Sequence, residues 1–493
     1  MNINWRVIGL IFILFFALEI FSFGAVYYLP VFIILVLLTA GLTIYKLEYG
    51  LLAVVSELLI GSMGHLFYLE IGSGRIPLRM GMFAAFLLVF FIKFLVQLIK
   101  HRAASRYFQA WKSFTGRRVY AWLAGFTGLA LVVAVLKGHN FSNIFSDANA
   151  WVYLILIFPA VVVYGQYDSN KLARLKNFFL AGVIWLSLKT LFILFIFSHN
   201  TEVAAAIYYW LRRILGGEVT AATATWPRVF IQGQIYPAIA FFLVLWSRPQ
   251  TEKIKAFFNR DNLSSIALGA LFLSTILISL SRSFWVGLVV SLVVSVIALW
   301  SLVGFKSVVF NTVRLFATGA LSLAIIYFVI AIPYNQGPTV SIGESLINRV
   351  TSENEPAVAS RWSLLPVLGR EIFREPIFGQ GFGATVTYIS QDPRVLAVNP
   401  SGEYTTYAFE WGYLDMWLKL GFLGLSAYLL LIIWLLREAW RQGIKTGGNL
   451  YLGLAAGLVF LSVTNFFTPY LNHPLGIGYI VISSCLIWTN KVY

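Results

Sequence analysis

Cysteine is almost missing from this chain of 493 residues, and charge is scarce. The single cysteine, Cys485, excludes an intrachain disulfide and leaves the redox compartment open. Asp, Glu, Lys and Arg make up 11% of the residues, against about 25% in a soluble domain, which excludes a water-soluble globule. The five histidines, at 65, 101, 139, 199 and 473, show neither His-x-x-x-His nor His-Glu spacing, so neither a metal nor a cofactor is expected. No Gly-x-Ser-x-Gly elbow stands beside a suitable His and Asp, and no Gly-Lys-Ser/Thr follows Gly379, Gly381 and Gly383. Serine-hydrolase and phosphate-loop chemistry are therefore unsupported, and the glycines read as a turn where backbone approaches backbone. Internal repeats and low-complexity tracts are missing as well.

What is present is apolar: 59% of residues are hydrophobic and the mean hydropathy is +0.81. The chain reads as an all-α polytopic membrane protein, with apolar runs near the length of about 20 residues that one span requires. They fall near 6–23, 26–45, 49–69, 78–99, 119–136, 147–165, 178–198, 229–246, 264–281, 284–304, 315–333, 410–436, 449–466 and 475–490. This predicts about 14 transmembrane helices (12–14), with hairpins of almost no loop near 24 and 282. Residues 1–332 hold helices 1 to 11, 333–409 form one large periplasmic loop, and 410–493 hold the last three helices. The first run has one early cation, Arg6, and no small-residue cleavage site, so it reads as a retained span.

The formal net charge of +16 sits in alternate connections. Lys46 is followed by Lys100, Arg102 and Arg106, by Lys171 and Arg174, by Arg248, Lys253, Lys255 and Arg260, and finally by Arg437, Arg441 and Lys491. That alternation is the positive-inside pattern and places both termini in the cytoplasm. The basic runs need no nucleic acid; the bilayer is their partner.

Two outward connections are long, His199–Pro227 and Pro333–Glu410. Glu202–Leu215 and Arg361–Phe373 have helical spacing, ended by Gly216-Gly217 and by Pro376. The second interval contains Arg349, Arg361, Arg370, Arg374 and Arg394 but no lysine. Arginine's planar fork pairs two donors with a phosphate or carboxylate, whereas lysine offers a point charge. Arg228, Arg282 and Glu410 are expected at the same outward level. Each alone reads as an interfacial anchor; together they suit gripping a diphosphate while a base handles a hydroxyl. Charges within spans include Glu19, Glu57, Lys189, Asp415 and Lys419. Asp415 and Lys419, four apart, read as an ion pair, and Glu57 and Lys189 either pair across helices or serve transport.

Three stretches, and a fourth more weakly, resemble the O-antigen ligase and O-antigen polymerase superfamily of bacterial envelope glycosyltransferases. Ser281-Arg-Ser-Phe-Trp-Val-Gly-Leu288 is similar to its Ser-Arg-x-x-Trp-x-Gly span start, and Arg361–Gly383 to its Arg-Trp...Pro-x-x-Gly-x-Gly-x-Gly segment. Tyr413-Leu414 through Gly421-Phe-Leu-Gly424 resembles the helix after its loop, and Arg228–Gly233 its arginine-led span. One position departs: where the family has His-Asn-x-Tyr-Leu, this chain has Glu410-Trp-Gly-Tyr-Leu414, so Glu410 replaces the expected histidine. The resemblance implies an inner-membrane enzyme that transfers or polymerises glycan from an undecaprenyl-diphosphate carrier onto an acceptor glycan, lipid or protein hydroxyl at the periplasmic face. Arg228, Arg282 and Arg361 would hold the diphosphate, Arg282 would also assist catalysis, and Glu410 would be the base. No metal is then required, because the arginines neutralise the leaving group. Partial desolvation at the membrane boundary is expected to raise the pKa of Glu410. The alternatives are a transporter or flippase of a lipid-linked or anionic solute that uses Glu57 and Lys189, and a non-catalytic glycan-lipid-binding homologue.

Overall fold

The computed structural model describes residues 4–24, 28–71, 74–101, 105–165, 168–221, 226–246, 257–303, 305–333, 356–446 and 449–489. Arg102, Arg248, Lys253, Lys255, Arg349 and Lys491 lie outside these residues. In chain order the helices begin with α1 (Trp5–Gly24), α2 (Tyr28–Tyr45), α3 (Leu47–Ile60), α4 (Leu78–His101), α5 (Arg106–Ser113) and α6 (Arg117–Leu136). Next come α7 (Phe141–Val152), running through a 3-10 turn into α8 (Ile157–Tyr164), then α9 (Ser169–Ser198), α10 (Ala204–Trp210), α11 (Ile235–Leu245) and α12 (Arg260–Ile278). The series ends with α13 (Arg282–Val303), α14 (Phe305–Ala331), α15 (Pro356–Arg374), α16 (Gly412–Thr446), α17 (Asn449–Thr464) and α18 (Pro474–Thr489).

The chain is an all-α polytopic membrane protein. Among the described residues, ten helices are long and apolar enough to cross a membrane, counting α7–α8 as one. The other four expected spans coincide with α3, α11, α17 and α18, of 14, 11, 16 and 16 residues. At 1.5 Å per residue these are shorter than a hydrocarbon core of about 30 Å, so a count of fourteen rests on them. The tight connection expected near 282 is present, with α12 ending at Ile278 before Arg282 and packing on α13; the one expected near 24 falls on residues 25–27, outside the described residues.

Exposure separates an outer from an inner layer. Leu37, Leu88, Val293 and Phe316 stand more than half exposed on α2, α4, α13 and α14. Apolar surface on this scale, spread over the long helices, belongs in lipid and not in water. In α11, by contrast, every residue but Leu243 is buried, and α3 buries Leu51, Leu52, Val54, Val55 and Leu58. A helix that is apolar all round is a core helix. Here α11 packs against α9, α12 and α17.

Three short antiparallel hairpins interrupt the helices: β1 (Tyr68–Ile71) with β2 (Gly74–Pro77), β3 (Glu218–Ala221) with β4 (Pro227–Phe230), and β5 (Val386–Ile389) with β6 (Glu403–Thr406). The apolar run expected over 49–69 therefore does not continue as helix. It breaks after Ile60, where Ser62 and Gly64 adopt φ of 49° and 90°, and Tyr68 already belongs to a strand.

The five charges expected within spans are paired, though not always as expected. Lys189 Nζ lies 2.6 Å from Glu19 Oε1, while Glu57 Oε2 lies 2.6 Å from Nε of Arg79, which also donates to the Ser62 carbonyl. Glu57 and Lys189 are thus not each other's partners. Lys419 Nζ does lie 2.6 Å from Asp415 Oδ1, and 2.5 Å from Asp147 Oδ1 on α7.

The glycine-rich turn after α15 is fastened to the bundle by main chain. Gln380 N donates to the Leu418 carbonyl and Gly381 N to that of Lys419, while Phe422 N donates back to Pro376. The helix α16 breaks to receive them, at Gly421 with φ 69° and ψ 178°. Gly381 has φ of 88°, and a Cβ there would stand 2.5 Å from the Ala134 nitrogen. Gly383 N donates to Asp147 Oδ2, so the carboxylate that holds Lys419 also holds the turn.

Candidate functional site

Arg228 sits on β4, opposite Thr220 of β3. Its Nε donates to the Ser279 carbonyl at 3.1 Å, its Nη1 to Glu218 Oε2 at 3.3 Å, and its guanidinium lies 5.3 Å from the Phe230 ring centroid. Glu218 is shared, because Arg212 approaches its other oxygen at 3.5 Å. Burial pushes the Arg228 pKa down, and Glu218 opposes the shift.

Ser279 belongs to the hairpin that presents Arg282, so the hydrogen bond from Arg228 ties the two arginine-bearing segments together. Between them Leu280, fully buried, adopts φ of 44°. A non-glycine residue in that region costs about 1–3 kcal/mol and persists only where its surroundings fix it. Here they do: Ser281 N donates to Ser279 Oγ, and Ser283 Oγ lies 3.0 Å from Ser281 Oγ and from Thr468 Oγ1. The flanking serines brace the turn from which α13 starts.

Arg361 projects from α15, and its Nε–H donates to the Glu410 carboxylate. Trp411 Nε1 donates to the Arg361 carbonyl at 3.1 Å, and its ring meets Trp362 edge-on at 5.7 Å. These contacts fix the start of α16 against α15. Burial lowers the Arg361 pKa, and so do the positive charges of Arg228 and then Arg282. Arg361 therefore pairs with Glu410 and lies within electrostatic range of Arg228 and Arg282, although the four come from separate segments. Arg212 and Arg228 meet Glu218, Arg361 meets Glu410, and Arg282 adds its charge to the group. Like charges held this close are relieved by an anion, and the guanidinium fork suits a phosphate.

Glu410 differs from expectation in its surroundings. It is 54% exposed and paired with a cation, not desolvated. With Arg361 it opens onto a cavity of about 620 Å³ whose wall includes Tyr388, Asn399, Glu403 and Tyr404. Aromatic faces beside amide and carboxyl groups offer contacts to both the apolar and the hydroxyl sides of a polyol. Among the described residues, no group of three or more His, Cys, Asp or Glu has a metal-holding arrangement.

Residues 267–429 match the family model described as O-antigen ligase. The chain resembles the O-antigen ligase and polymerase superfamily. The matched interval includes Arg282, Arg361 and Glu410 and leaves Arg228 outside. No curated protein matches the chain. The likeness to the ligase superfamily supports a membrane enzyme of ligase or polymerase type. The residues that sequence reasoning missed are the partners: Glu218, Arg212, Asp147, Arg79 and Thr468. In a chain this poor in charge, each acidic residue in an outward connection was a readable candidate, and Glu218 directly follows the Gly216-Gly217 stop.

Proposed function

We propose that this protein is a glycosyltransferase of the bacterial inner membrane, with both termini in the cytoplasm. It moves glycan from an undecaprenyl-diphosphate carrier to an acceptor hydroxyl on the periplasmic side. The observation that carries the reading is the convergence of Arg228, Arg282 and Arg361 with Glu410 beside the cavity under β5 and β6. The arginines bind the diphosphate and neutralise the charge that grows on it. Glu410 takes the proton of the acceptor hydroxyl as its oxygen bonds to the anomeric carbon; the bond from that carbon to the phosphate oxygen breaks, and its electron pair leaves with the diphosphate. Metal is dispensable, because guanidiniums supply the positive charge.

Reconstitution with a lipid-linked oligosaccharide and a panel of acceptors tests this reading. Glycan should appear on an acceptor with release of the lipid diphosphate, and the reaction should survive EDTA. Translocation of the intact lipid-linked oligosaccharide without transfer would identify a flippase instead. Binding without turnover on any acceptor would identify a glycan-lipid-binding homologue.

A further inference from the structure

A second cavity, of about 800 Å³, lies far from the arginine cluster. Lys171, on its wall, opens α9, and Thr190 lies about 29 Å further along that helix at 1.5 Å per residue. Thr190 Oγ1 accepts from Gln234, a residue whose amide also caps Ile231 N next to β4. The two cavities therefore stand at opposite ends of the bundle.

Four cations line the second cavity: Lys46, Lys93, Arg106 and Lys171. Lys46, Arg106 and Lys171 belong to connections that the charge pattern assigns to the cytoplasm, and Lys93 lies on α4, about two turns before its end. Two carboxylates are near. Glu48 is occupied, since both its oxygens accept from Arg174 at 2.7 and 2.8 Å, and Asp168 stands 4.0 Å from Lys171. Lys93 Nζ donates to the carbonyls of Thr43 and Ile44 at the end of α2. An ammonium has three donors, so these two acceptors leave one for an occupant.

The wall also carries polar side chains, Gln97, Gln109 and Ser113, and an apolar flank. Ile92 and Val96 line the cavity and are also exposed on α4, where Leu95 and Ile99 continue an exposed apolar flank. An inorganic phosphate has no use for such a flank, whereas acyl chains do. We propose that this cavity binds an anionic phospholipid of the adjoining leaflet, with its phosphate among Lys93, Arg106, Lys46 and Lys171 and its chains along Ile92 and Val96. Basic pockets between membrane helices on the cytoplasmic side suit this class of headgroup.

Native mass spectrometry of the full chain in detergent, titrated with dioleoyl phosphatidylglycerol, dioleoyl phosphatidylcholine or inorganic phosphate, tests the assignment. Phosphatidylglycerol should remain bound where phosphatidylcholine is lost. Lys93→Gln and Arg106→Gln should each weaken it roughly five-fold, and Lys100→Gln, outside the cavity, should not. Arg106 is exposed on a short helix, so its replacement keeps the test open if Lys93→Gln fails to fold. Equal retention of both lipids, or indifference to Arg106→Gln, overturns the proposal. So does displacement of phosphatidylglycerol by inorganic phosphate at equal concentration, which would identify a site for the free anion.

Discussion

Arg361 donates to Glu410, so a proposed diphosphate ligand and the proposed base are each other's partners. A diphosphate that captures the guanidinium frees the carboxylate to accept a proton. Binding of the donor and arming of the base are then one event, so the carboxylate stays held by Arg361 until a donor is present. Glu410→Gln keeps the size and hydrogen-bonding reach of the side chain but cannot take a proton. Turnover should fall by roughly 10² to 10⁴ while donor affinity stays within about two-fold, and Glu410→His should retain measurable transfer. Wild-type turnover in the glutamine variant would remove Glu410 from the mechanism.

Arg282 is expected to act through its fork. Arg282→Lys preserves the charge and loses bidentate pairing, so transfer should drop steeply at unchanged expression. Arg374→Lys, a replacement of a largely exposed arginine paired to Glu371 on its own helix, serves as the comparison and should be silent. Near wild-type turnover of Arg282→Lys would reduce Arg282 to an interfacial anchor.

Orientation can be read by cysteine labelling, because the native Cys485 is buried. Ser401 and Ser113 are both exposed, at opposite poles of the proposed topology. In intact spheroplasts an impermeant thiol reagent should modify Ser401→Cys and spare Ser113→Cys. The reverse pattern would invert the protein and place the arginine cluster in the cytoplasm. Ser105 is a poor probe for the same loop, since it is fully buried.

The glycine turn makes a stability prediction with an internal control. Gly381→Ala puts a Cβ against the main chain of α6 at a positive φ, and should cost at least about 1–3 kcal/mol, seen as a lower unfolding temperature in detergent. Gly369, inside α15, has nothing within 4 Å of its would-be Cβ, so Gly369→Ala should be neutral or stabilising by up to about 1 kcal/mol. Equal melting of the two variants would contradict the docked turn.

The membrane helices were legible because lipid imposes one rule on every span: a long apolar run with its backbone satisfied internally. Tyr68 shows where that rule fails, since an apolar run can end in a hairpin as easily as in helix once glycines such as Gly64 admit the turn. The candidate site was legible as residues at one outward level and not as contacts. Arg228, Arg282, Arg361 and Glu410 could be singled out because charge is rare. Their placement depends on how β4, the turn between α12 and α13, α15 and the start of α16 come together, which no local pattern encodes. Partner choice was the least legible. Lys189 is buried against Glu19, 170 positions away, and Glu57 against Arg79, and hydropathy is blind to both pairings.

The docking of residues 376–383 on the break at Gly421 has a consequence for how such sequences can diverge. The contact is written in amide and carbonyl groups, and the side chains of Ile377 and Phe378 point largely away from protein. Drift at those two positions leaves the register of α15 against α16 intact, and with it the reach of Arg361 to Glu410. A lineage can therefore re-dress this surface for new neighbours while inheriting the pairing of Arg361 with Glu410 unchanged, provided the glycines that let two backbones touch are kept.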